Sequence, residues 1–93
     1  MKLATFKAKD IKDARYGFKR GEYIVDILYL SKFLQEINDD TRFLNLPLSL
    51  NEALKNWDHN LRKFKMLDNE LSYENLKART KDGFKIAQPI SDI

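Results

Sequence analysis

The chain has 93 residues, no cysteine and a formal net charge of +3, which fits one small domain and excludes a disulfide framework, a thiolate zinc site and a cysteine nucleophile. A chain this short also leaves little room for a deep catalytic cleft. No apolar run approaches the roughly 18 residues that span a bilayer, and the N-terminus lacks the apolar core of a signal peptide. We therefore expect a cytoplasmic protein without a membrane segment.

The N-terminal third predicts a three-stranded antiparallel meander. In the first strand, residues 2–9, small and aromatic side chains alternate with lysines, which is typical of a half-buried strand. A polar turn at residues 10–13 precedes the second strand, Arg15–Lys19. The third strand is Tyr23–Ile27, and Gly21 supplies the positive φ that the intervening hairpin turn needs.

Strand alternation assigns side chains to faces. We expect Ala4, Phe6 and Ala8 on the buried face of the first strand, and Tyr16 and Phe18 together on one face of the second.

A helix is predicted over Asp26–Asn38. Its apolar residues recur at three- and four-residue steps, and they are Ile27, Leu30, Leu34 and Ile37, with Phe33 beside them. Ser31 lies inside this run, so the helix starts either at Asp26 or near Ser31. The polar sequence Asn38-Asp39-Asp40 ends it.

The loop Thr41–Leu48 follows, and its Phe43, Leu44 and Leu46 are expected to be buried. Pro47 disfavours a helix at the residue before it. Ser49 and Glu52 then form a capping box, in which the serine hydroxyl accepts a hydrogen bond from the glutamate backbone while the glutamate side chain reaches back to the serine. This motif predicts the start of a second helix.

That second helix carries one long apolar stripe, made of Leu50, Leu54, Trp57, Leu61, Phe64, Leu67 and Leu71. We expect the stripe, Trp57 included, to pack into the core. The polar stretch at residues 56–60 is poor helix material, and Asp58 could cap a new helix there. The pattern leaves open one kinked helix or two helices in line.

A hairpin is predicted near the C-terminus. A three-residue loop at residues 81–83 pairs Thr80 with Phe84 and Ala78 with Ile86, with Gly83 at the left-handed position. The strand Phe84–Gln88 follows. A helix over Tyr73–Arg79 is an alternative for the first half, and an exit segment begins at Pro89.

The sequence predicts no catalytic, cofactor-binding or metal-binding residue. His59 is the single histidine, and it lies in a polar break where a surface position is expected. The acidic pairs Asp39-Asp40 and Asp68/Glu70 are expected to be solvated rather than to converge on a metal. The basic residues are scattered among acids, which favours a solvated surface over a nucleic-acid patch.

A short basic strip keeps a nucleic-acid alternative open. Arg62, Lys63 and Lys65 flank Phe64, and a basic surface with exposed aromatic rings can bind single strands. The alternative function is therefore a small basic protein that stands alone and binds a protein partner or a nucleic acid.

Several segments in order resemble one family. They are the opening MKLATF, the pair Arg15-x-Gly17, the turn at Gly21, the sequence Val25-Asp26-Ile27, the stretch LPLSLNEALKNWDHNLRKF and the end FKIAQPISDI. Together they resemble the N-terminal domain of the fumarylacetoacetate hydrolase family. The loop Glu74–Gly83 departs from the short version of that domain, which leaves the subfamily and the substrate open.

The resemblance implies an α+β domain over residues 1–93, with a small antiparallel sheet packed against two or three helices. Residues 89–93 would start a linker to a C-terminal catalytic domain, the partner in the same polypeptide. Family members are metal-dependent enzymes acting on 2-oxo or β-diketo acids. Their Mg²⁺ or Ca²⁺ is held in the catalytic domain, so no catalytic residue is carried onto this chain. Asp26 matches a family position and is expected to be a strand-to-helix junction acid. The resemblance also allows a homodimer of the parent enzyme.

Overall fold

The computed structural model describes residues 1–8 and 12–93, so the expectations at Lys9 and at residues 10–11 lie outside the described residues. Within that part of the chain the fold has four strands, three α-helices and two 3₁₀ helices. The strands are β1 (Leu3–Phe6), β2 (Arg15–Arg20), β3 (Tyr23–Asp26) and β4 (Ala87–Pro89). The α-helices are α1 (Ile27–Asn38), α2 (Leu50–Leu54) and α3 (Trp57–Glu70), and the 3₁₀ helices are Tyr73–Lys77 and Ile90–Asp92.

The four strands form one antiparallel sheet in the order β1-β2-β3-β4. The predicted α+β architecture, a meander plus a C-terminal strand with helices, is confirmed. The β2–β3 hairpin closes with Arg20 opposite Tyr23, and Gly21 in its two-residue turn has a φ of 59°. A residue with a side chain is strained at that φ, which explains the glycine.

Helix α1 starts at Ile27, which settles the open question of its N-terminus. Asp26 is the N-cap, and its carboxylate accepts a hydrogen bond of 3.0 Å from the Tyr29 backbone N–H. At the other end Asp39 adopts a left-handed conformation with a φ of 53°, and its N–H bonds back to Gln35. The helix therefore ends where the polar sequence predicts.

The predicted second helix is two helices. Ser49 caps α2 by accepting from the Glu52 N–H at 3.1 Å, as predicted. The reciprocal half of the capping box does not form, because the Glu52 carboxylate accepts from Lys55 at 3.2 Å instead. The cap of α3 is Asn56, not Asp58, which lies in its first turn. The side-chain amide of Asn60 donates to the Ala53 carbonyl at 2.9 Å and ties the two helices together. In the described residues no helix has the length and apolar character to cross a membrane.

The predicted C-terminal hairpin register is confirmed. Thr80 N–H donates to the Phe84 carbonyl at 2.9 Å, and Ile86 N–H donates to the Ala78 carbonyl at 3.2 Å. Gly83 has a φ of 89° at the predicted position. The two halves of the hairpin pair through a single isolated bridge rather than as regular strands. Regular pairing with β3 is confined to β4, which begins three residues after the predicted start of the C-terminal strand.

The core lies between one face of the sheet and helices α1 and α3. It joins sheet, helix and loop residues that include Tyr16, Phe18, Val25, Leu30, Leu34, Phe43, Phe64 and Leu67. Four expectations of burial are wrong, because Ala4, Ile37, Leu44 and Leu54 are exposed. Ile37 and Leu54 lie at the ends of α1 and α2, and Leu44 lies in a turn, where side chains are more open to solvent than in the middle of a packed helix.

Candidate functional site

The residues examined for chemistry in the sequence do not form one site. His59 is exposed on α3, as predicted. The acids are not simply solvated: Asp68 pairs with Arg20 at 2.9 Å, while Asp40 and Glu70 share Arg42 at 2.8 and 2.9 Å. Hydrogen bonding to Arg42 lowers the pKa of Asp40. These contacts join helix ends to neighbouring segments and have a structural role.

In the described part of the chain the potential metal ligands do not gather in a group of three or more. A carboxylate site needs several oxygens from separate segments around one point. Across residues 1–8 and 12–93, no three His, Cys, Asp or Glu side chains come together in that way.

Phe64, the ring that the sequence placed in the basic strip on α3, does not face solvent. Phe64 is fully buried and packs edge-on against Tyr16 and Trp57. Lys63 donates to the Arg42 carbonyl at 3.1 Å. A buried ring cannot stack a base, so Phe64 does not supply the stacking surface that the sequence suggested.

The structure does bring together three residues of the family-like motif. Arg15 on β2 makes a two-point ion pair with Asp26, with Nε–Oδ2 at 2.8 Å and Nη2–Oδ1 at 3.1 Å. Asp26 is 1% exposed and also caps α1. Burial disfavours the charge on Arg15, but the hydrogen bond and charge of Asp26 outweigh it and raise the pKa of Arg15. The pair ties β2 to the β3–α1 junction.

Gly17 completes this unit because it lies opposite Asp26 in the β2–β3 register. A Cβ atom at Gly17 would lie 1.7 Å from the Val25 carbonyl oxygen, far inside van der Waals contact. Only glycine permits this approach of the two strands. The spacing Arg15-x-Gly17 thus belongs to one set of contacts. Gly17 lets β3 approach closely, and Arg15 neutralises Asp26 at the end of β3.

An aromatic stack extends the unit toward the C-terminal hairpin. The Arg15 guanidinium lies 3.9 Å from the centre of the Tyr29 ring, close enough for a cation–π contact. The Tyr29 ring stacks on Phe84 with centres 4.8 Å apart and planes 8° apart. Phe84, although 45% exposed, therefore links the hairpin to α1.

The second face of the sheet carries an apolar groove, which we call the outer groove. Paired residues on neighbouring strands share a face, so Lys19 and Ile24 lie opposite the face on which Phe18 and Val25 enter the core. The outer groove has a volume of about 500 Å³ and is lined by residues 2–6, Lys19, Ile24, Ile90 and Ile93.

The lining of the outer groove is apolar except at its rim. Phe6 and Ile24 are buried, whereas Ile90 and Ile93 are 41% and 50% exposed. The Ile90 N–H donates to the Glu22 carbonyl at 2.8 Å and holds the C-terminal 3₁₀ helix against the hairpin turn. Pro89, where the sequence predicted an exit segment, is thus the last residue of β4. The C-terminal 3₁₀ helix follows it and forms part of the groove.

Two lysines stand side by side at the rim of the outer groove. Lys19 N–H donates to the Lys2 carbonyl at 3.0 Å, which places the two side chains on the same face as neighbours. Neither side chain makes an ion pair with any residue that the structure describes. Directly opposed like charges disfavour strand pairing, so an anionic group at this rim would be stabilised.

Sequence reasoning missed the outer groove. Alternation places Phe6 on the face opposite Leu3, and the apolar residues of the C-terminal PISDI sequence were available as a second signal. The sequence pattern could not show that Ile90 and Ile93 fold back onto β1, at the opposite end of the chain.

Comparison of the chain with protein-family models, with curated proteins and with solved structures gave no match.

Proposed function

We propose that this chain is the non-catalytic N-terminal accessory domain of a cytoplasmic enzyme of the fumarylacetoacetate hydrolase family. In this proposal the parent enzyme acts on 2-oxo or β-diketo acids with a metal ion, and a catalytic domain that follows residues 89–93 holds the metal. The accessory domain covers and supports that catalytic domain.

The observation that carries the proposal is the contact set of Arg15, Gly17 and Asp26. The resemblance selects these residues by motif alone, before any fold is considered. Their direct contact gives the motif a physical reason, because changing one member leaves a buried charge or a steric clash. This supports the resemblance without making any of the three a catalytic residue.

The outer groove is the docking surface in this proposal. The linker that would lead to the catalytic domain begins at residues 89–93, and Ile90 and Ile93 of that segment line the groove. A domain attached through this segment would be held close to the exposed apolar surface. Covering exposed apolar area is the main favourable term in such domain contacts.

The first test is the mass of the native polypeptide, measured by immunoblot of source cells with an antibody against this domain. The proposal expects a band near roughly 30 kDa, about two typical domains. A band at 11 kDa, the mass of this chain, would overturn the proposal and favour the alternative of a small basic binding protein.

The second test is turnover of acylpyruvates in the presence of Mg²⁺. The 93-residue chain should be inactive, while the native polypeptide should hydrolyse them or a related 2-oxo acid. Turnover by the 93-residue chain alone would contradict a non-catalytic role.

A further inference from the structure

A second cavity lies between the 3₁₀ helix Tyr73–Lys77, the C-terminal hairpin and strand β4. Its volume is about 300 Å³. Three cationic side chains line it, those of Lys77, Arg79 and Lys85. We call it the basic cavity, and its remaining lining is Tyr23, Leu76, Ala87 and Pro89.

The backbone forces two of these cations together. Arg79 and Lys85 are antiparallel bridge partners, so their side chains leave the hairpin on the same face. The flanking hydrogen bonds, Thr80 to Phe84 and Ile86 to Ala78, fix this register. Like charges placed directly opposite destabilise the pairing, and here the chain cannot relieve them by slipping.

No acidic side chain lines the basic cavity. None of its three cations makes an ion pair with a residue in the described ranges 1–8 and 12–93. Arg79 uses one N–H group to donate to the Gly83 carbonyl at 2.7 Å, which orients the guanidinium. Glu74 lines the adjoining cavity beside Lys77 without pairing with it.

The other side of the basic cavity is apolar. Leu76 and Ala87 are buried, while Tyr23 and Pro89 are half-buried and present a ring and a pyrrolidine. An inorganic ion would leave this surface uncovered. A ligand that carries both a compact anion and a small flat organic group would contact both parts of the lining.

We propose that the basic cavity binds a small phosphomonoester whose organic group lies against Tyr23 and Pro89. A phosphomonoester carries about −1.5 to −2 charge at pH 7, which suits a cavity lined by three cations. The planar arginine fork suits two phosphate oxygens, and the lysines add point charges. The volume lies at the small end of ligand cavities, so the ligand is a compact one. This inference does not depend on the proposed function.

The test is a titration of the ¹⁵N-labelled chain with phenyl phosphate at low salt, followed by amide chemical shifts. The expected shifts map to Tyr23, Lys77, Arg79, Lys85 and Ala87. The double variant Arg79→Gln/Lys85→Gln should weaken binding by about a hundredfold or more, since the loss of each charge-assisted contact costs about tenfold in affinity. The matched control Lys81→Gln, at the tip of the same hairpin, should bind as the unmodified chain does.

Three results would overturn the proposal. Equal affinity of the double variant would show that the cations do not hold the ligand. Equal binding of inorganic phosphate and phenyl phosphate would remove the role of the apolar lining. Tighter binding of a mixed-sequence oligonucleotide, with shifts at the same residues, would mean that the cations serve a nucleic-acid backbone instead.

Discussion

Arg15 and Asp26, eleven residues apart, form a two-point ion pair in which the acid is 1% exposed and the arginine side chain 18% exposed. The same carboxylate accepts the Tyr29 N–H and so begins α1. One buried acid therefore fixes both the β2–β3 pairing and the direction of the first helix. The pair gives a physical reason for the joint occurrence of Arg15 and Asp26 in this sequence.

The ion pair predicts a large cost for removing one partner. Arg15→Met leaves Asp26 buried and unpaired, so we expect the free energy of unfolding to fall by about 3 kcal/mol. Asp26→Asn keeps an oxygen for the Tyr29 N–H and should cost a comparable amount through the unpaired arginine. Urea unfolding of both single variants and of the double variant measures the coupling.

The control for this cycle is the pair Lys32–Asp82, whose side chains are 43% and 60% exposed. Solvent screens such a pair, so Lys32→Met should change stability far less than Arg15→Met. If the double variant at positions 15 and 26 loses as much stability as the two single variants together, the two side chains are not coupled. That result would contradict the structural role of the pair.

Gly17→Ala predicts a steric cost. The added Cβ would meet the Val25 carbonyl oxygen at 1.7 Å, and backbone cannot move aside as a flexible side chain can. We expect a loss of more than about 3 kcal/mol, or no folded protein. Thermal unfolding followed by circular dichroism measures the loss.

Gly83→Ala is the matched control for Gly17→Ala. Its φ of 89° strains an alanine, but nothing lies within 4 Å of the new Cβ, so the cost should be about 1–2 kcal/mol. Similar costs at the two positions would mean that the β2–β3 approach at Gly17 is looser than described here.

Local signals in the sequence predicted the local parts of the fold. Gly21 and Gly83 marked both turns because a positive φ favours glycine. The two-residue period favoured the hairpin register at Thr80, since a two-residue loop at Asp82-Gly83 would mix its faces. Ser49 marked the start of α2 because its side chain accepts a hydrogen bond from the residue three positions later, a short spacing that can be read from the sequence.

Contacts between distant segments were not predictable in the same way. Periodicity placed Ile37 and Leu54 on apolar stripes, yet the two residues are 52% and 58% exposed. The outer groove forms because Ile93 lies near residues 2–6, and the basic cavity forms because Tyr23 lies near Lys85. Such contacts between distant segments depend on how β4 pairs with the sheet. No local pattern in a single sequence encodes that pairing.

Tyr16 predicts a loss of stability at alkaline pH. Burial raises its pKa well above the usual value near 10. Above about pH 10 the unfolded chain releases this proton and the folded chain keeps it, so stability present below that pH is lost as pH rises. The slope should approach about 1.4 kcal/mol per pH unit for this one group.

Tyr16→Phe isolates this effect by urea unfolding between pH 8 and pH 12. The variant loses the hydrogen bond from the tyrosine hydroxyl to the Pro47 carbonyl, which costs about 1 kcal/mol at neutral pH. Its stability should then fall less steeply above pH 10. Parallel pH curves for the two proteins would exclude Tyr16 as the titrating group.

The outer groove predicts self-association of the isolated chain. Ile90 and Ile93 expose apolar area beside the free edge of the sheet, so sedimentation should detect a dimer at high concentration. Ile90→Lys should reduce the association. The control Leu48→Lys changes a residue that is 81% exposed but lies outside the groove, and an equal effect there would locate the contact elsewhere.

The most direct test of the central claim is amide hydrogen exchange of the native polypeptide compared with the isolated 93-residue chain. If a catalytic domain covers the outer groove, β1 and residues 90–93 should exchange at least about tenfold more slowly in the native polypeptide, since 1.4 kcal/mol of added protection gives that factor. The backbone of α3 should exchange alike in both. Equal exchange of β1 and residues 90–93 in the two proteins would contradict docking through this face.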